Sequence, residues 1–104
     1  MVDGKTNEHL KIDLYLFCEN TGELYGDIRA AVKIMAEAKI EDNVIPPSVL
    51  MHWRDIVARG IWMYHREIDS DTHFSIEIRN EVAQEWAERY LQRIKLGEEG
   101  LYDE

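Results

Sequence analysis

Apolar residues recur at three- and four-residue intervals in three stretches of this chain. Each stretch predicts an amphipathic helix. In 23–39, Leu24, Ile28, Ala31, Val32 and Met35 share one face. Gly26 is an early weak point, since glycine inside a helix costs about 1 kcal/mol relative to alanine. In 48–66 the main stripe is Val49, Leu50, Trp53, Ile56, Val57, Gly60, Ile61 and Tyr64, with Ser48 as the expected N-cap. Met51, Ala58 and Trp62 form a second stripe on another face. A helix apolar on two faces is either central in its fold or half of an interface, and the pattern leaves both open. In 80–96, Val82, Ala83, Trp86, Ala87, Tyr90 and Ile94 line one side, and Glu81, Glu85, Glu88, Arg89, Gln92 and Arg93 cover the other. Asn80 is the expected cap, with Ser70 or Asp71 as earlier starts.

Two runs carry both periods. Leu10, Ile12, Leu14 and Leu16 alternate with Lys11, Asp13, Tyr15 and Phe17, as in a strand. Leu10, Leu14, Phe17 and Cys18 also fit a helix face capped by Asn7, the reading preferred here. In 73–78, Phe74, Ile76 and Ile78 alternate with His73, Ser75 and Glu77. The expected fold is mainly α: a compact single-domain bundle of about three to five helices. The alternative is α+β, with short strands at 10–17 and 73–78.

Punctuation is sparse. Pro46 and Pro47 separate the first two predicted helices, because proline lacks the amide donor and clashes with the preceding turn. Residues 97–104 are acidic and carry two glycines, so they are expected to fray, leaving 1–96 as the globular unit. The 104 residues fit one domain. One cysteine, Cys18, cannot close an internal disulfide. There is no secretory leader pattern and no uncharged run of the roughly 18 residues that span a bilayer. The expected compartment is the cytoplasm.

The net charge of −9 is uneven. Residues 1–22 and 23–45 each carry −2, 46–66 carry +2, and 67–104 carry eleven acids against four bases. Such a field repels polyanions and anionic membranes, which argues against nucleic acid as the main partner.

Candidate chemistry is thin. Glu77, Glu81, Glu85 and Glu88 form a carboxylate ladder of the kind that holds Mg²⁺ in helical hydrolases. Such sites need carboxylates converging from several helices, and this ladder lies opposite its apolar stripe, so a solvated face is the simpler reading. His65, Glu67, Asp69, Asp71 and His73 put potential ligands at every second position. The calcium-loop pattern fails there, with Phe74 at the glycine position and Asn80 at the bidentate glutamate position. His52, Trp53, Arg54, Arg59, Trp62, His65 and Arg66 interleave bases and aromatics, as nucleic-acid surfaces do, but they point several ways. Cys18 has no base beside it. No metal, cofactor or catalytic residue is assigned, and the chain is read as leaning away from an enzyme.

The expected function is a small acidic protein that docks on another protein and masks it. Met51 and Trp62 are the apolar anchors, and Glu81, Glu85 and Glu88 the acidic contacts. One version is an inhibitor of the anti-defence, nucleic-acid-mimic kind, whose acidic helix fills a basic groove. That likeness is one of size and charge alone. The alternatives are a metal-dependent hydrolase using the carboxylate ladder, and a dimeric DNA-binding regulator using the middle helix. A homodimer through the second stripe is compatible with the pattern.

Overall fold

The computed structural model describes residues 6–98 and contains four helices and no strand among them. They are α1 (Asn7–Glu19), α2 (Gly22–Glu37), α3 (Pro47–Glu67) and α4 (Ile76–Lys95). The mainly α reading holds, and the α+β alternative does not. The first ambiguous run, 10–17, lies wholly inside α1. The helical period wins because it buries Leu14, Tyr15 and Cys18 together, leaving Ile12 and Leu16 outside. In the second run, Phe74 is a buried loop residue and Ser75 is a cap, so the alternation is a loop running into a helix start.

The helix starts differ from those expected, and side-chain chemistry explains each case. Thr6, not Asn7, caps α1, its hydroxyl accepting from the His9 amide at 3.2 Å. Ser75, not Asn80, Ser70 or Asp71, caps α4 by accepting from the Ile78 amide at 3.1 Å. Ser48 is already in the first turn of α3. Pro46 is at the cap position and Pro47 opens the helix, where a missing amide donor costs nothing and a fixed φ helps. At the other end of α4, Gly97 has φ +74°. Its amide reaches the Ile94 carbonyl at 3.0 Å, and the Glu98 amide reaches Arg93 at 3.2 Å. That pair of bonds is a Schellman stop. Gly97 and Glu98 therefore belong to the helix end, and the remainder of the expected frayed tail, 99–104, lies outside the described residues.

One core joins all four helices. The stripe on α2 and the main stripe on α3 are buried, apart from half-buried Leu50 on α3. On α4, Ile78 and Leu91 join the buried set and Ile94 is only half-buried. At the centre the Trp53 ring stacks on Tyr90 with centroids 5.5 Å apart and meets Trp86 at 6.0 Å. Tyr15 from α1 meets Trp86 edge-on at 5.2 Å. Gly60 lets α1 and α3 touch: a Cβ there would overlap the Cys18 sulfur.

Candidate functional site

The second stripe of α3 faces solvent. Trp62 is 62% exposed and Met51 56%, and Ala58 between them is also exposed. At about 100° per residue, this stripe lies diametrically opposite the buried line through Trp53, Val57 and Tyr64. Among the described residues, then, nothing wraps this second side of α3. The Arg66 guanidinium lies 4.5 Å from the centroid of the Trp62 ring, a cation–π contact.

The acidic ladder has a different setting. Lys11 on α1 is only 5% exposed, and its ammonium sits 2.8 Å from Glu85, 2.9 Å from Glu8 and 3.5 Å from Glu81. The hydrogen bond to Glu85 and then that to Glu8 hold this ammonium protonated well above the ordinary lysine range, against the opposing effect of burial. Glu85 also accepts from the Tyr15 hydroxyl at 3.3 Å. Two of the three acids expected to meet a partner therefore pin α1 to α4. Glu88 is exposed and accepts from Gln84 at 2.8 Å. Within α4 itself, Glu77, Glu81, Glu85 and Glu88 are balanced by Arg79, Arg89, Arg93 and Lys95. The acid excess of the last third comes from Glu67, Asp69 and Asp71 before α4 and from Glu98, Glu99, Asp103 and Glu104 after it.

Among the described residues, no group of three or more His, Cys, Asp or Glu side chains converges as a metal needs. In the loop after α3, Asp69 accepts from the Asp71 amide and the Thr72 hydroxyl, both at 2.9 Å. His65 reaches the Thr72 carbonyl at 2.6 Å. These groups build the turn. Of the interleaved bases and aromatics, Trp53 is in the core and Arg59 is paired with Asp27 of α2.

A second surface had escaped the sequence pattern. Leu16 and Ile12, one turn apart on α1, are about half exposed, as is Ile68 just past α3. A groove of about 580 Å³ runs between Leu16 and Ile68, lined also by the polar Asp13, Asn20 and Thr21. Its walls include Leu16 and Ile68, and its floor includes Phe17 and Tyr64, whose rings meet edge-on at 5.5 Å. The apolar alternation of 10–17 was the available signal, because any helix there must turn two of its four aliphatic residues outward. A smaller hollow of about 230 Å³ lies between α2 and α3, beside the Asp27–Arg59 pair.

No helix among the described residues is long and apolar enough to cross a membrane. No protein-family model, curated protein or solved structure matches this chain.

Proposed function

We propose that this chain is a cytoplasmic, non-catalytic binding protein that docks on another protein through the outer face of α3 and masks the surface it covers. The observation that carries this reading is Trp62, an indole 62% exposed on the side of α3 away from the core. Tryptophan, tyrosine and arginine dominate interface hot spots, and methionine adapts to irregular partners. Trp62, the Arg66 stacked on it and Met51 supply that set on one helix face. A buried Cys18 that forms no disulfide suits a reducing compartment.

The acidic, inhibitor-like version of this reading rests on less, since Glu81 and Glu85 are engaged by Lys11. Reversing them would disturb the fold as well as any contact. Glu88→Lys avoids that difficulty and tests the acidic surface alone.

The first test is solution mass over a concentration series, where a monomer is expected. The second compares capture from extracts of the source cells by the native chain, Trp62→Ala with Met51→Ser, and Glu88→Lys. A protein retained by the native chain and Glu88→Lys but lost from the α3 double variant supports the reading. A stable dimer that dissociates on Trp62→Ala would overturn it, because the stripe would then be occupied by its own copy.

A further inference from the structure

We draw no further inference here: the strongest candidate, the groove between α1 and the end of α3, is bordered by Asp13, Glu67 and Asp69, which already have partners, and nothing in the structure shows what covers it.

Discussion

Cys18 of α1 faces Gly60 of α3 where there is no room for a Cβ, and each constrains the other. Burial, with a smaller effect of Glu19, pushes the Cys18 thiol up to about 12. The folded chain therefore holds the proton that the unfolded chain releases near the ordinary thiol value of about 9. This contribution to stability is whole below pH 9 and is lost as pH rises towards 12. The raised values of buried Tyr15 and Tyr90 and of clasped Lys11 act in the same direction. Urea midpoints should fall between pH 8 and pH 10, and Cys18→Ala should flatten the first part of that fall. A thiol reagent at pH 8 should react only as fast as the chain opens. Gly60→Ala should destabilise the fold by about 1–3 kcal/mol through overlap with the Cys18 sulfur. Adding Cys18→Ala should return part of that loss, so the pair would couple in a double-mutant cycle of urea melts.

Helices α1 and α4 are joined by an ionic clasp above an aromatic core. The clasp is one cation between Glu8, Glu81 and Glu85, whose side chains are all substantially exposed, so water screens much of the attraction. Lys11→Met should accordingly cost about 1.5–3 kcal/mol, the range for hydrogen bonds to charged groups, and the loss should shrink in high salt. The core below is less forgiving. Trp86→Ala should cost about 3–5 kcal/mol by thermal or urea melt, because its ring is fully buried between Tyr15 and Trp53. In α2 the balance is reversed. A Cβ on Gly26 meets nothing within 4 Å, and the residue is exposed inside the helix, so Gly26→Ala should stabilise by about 0.5–1 kcal/mol.

Across the whole molecule, the three tryptophans divide into two in the core and one outside. Iodide or acrylamide should quench only the Trp62 emission, and Trp62→Phe should leave a spectrum that these agents barely touch. That substitution should move the melting midpoint little, since surface changes of this kind stay within about 0.5 kcal/mol. The charge map divides as well. Of the arginines of α3, Arg59 is paired with Asp27 of α2 and Arg66 with Glu67, while along the sequence the acid excess of the last third lies before and after α4.

The three amphipathic helices were legible in the order of residues, because a 3.6-residue apolar period can be satisfied only by a buried face, and Leu24, Ile28, Trp53, Val82 and Trp86 all reach the core. The proline break and the capping chemistry were legible in kind but not in register, since several serines, threonines and asparagines compete for each cap and tertiary packing selects among them. Three matters were decided only when the helices met. The run 10–17 supports two periods, and the helix prevailed because Leu14 and Cys18 could then pack against α3 at Gly60. The exposure of Trp62 depended on whether any other element covers the far side of α3. Glu81 and Glu85 looked like solvated acids because a sequence shows which face of a helix they share, whereas the lysine that engages them lies some seventy residues earlier in the chain.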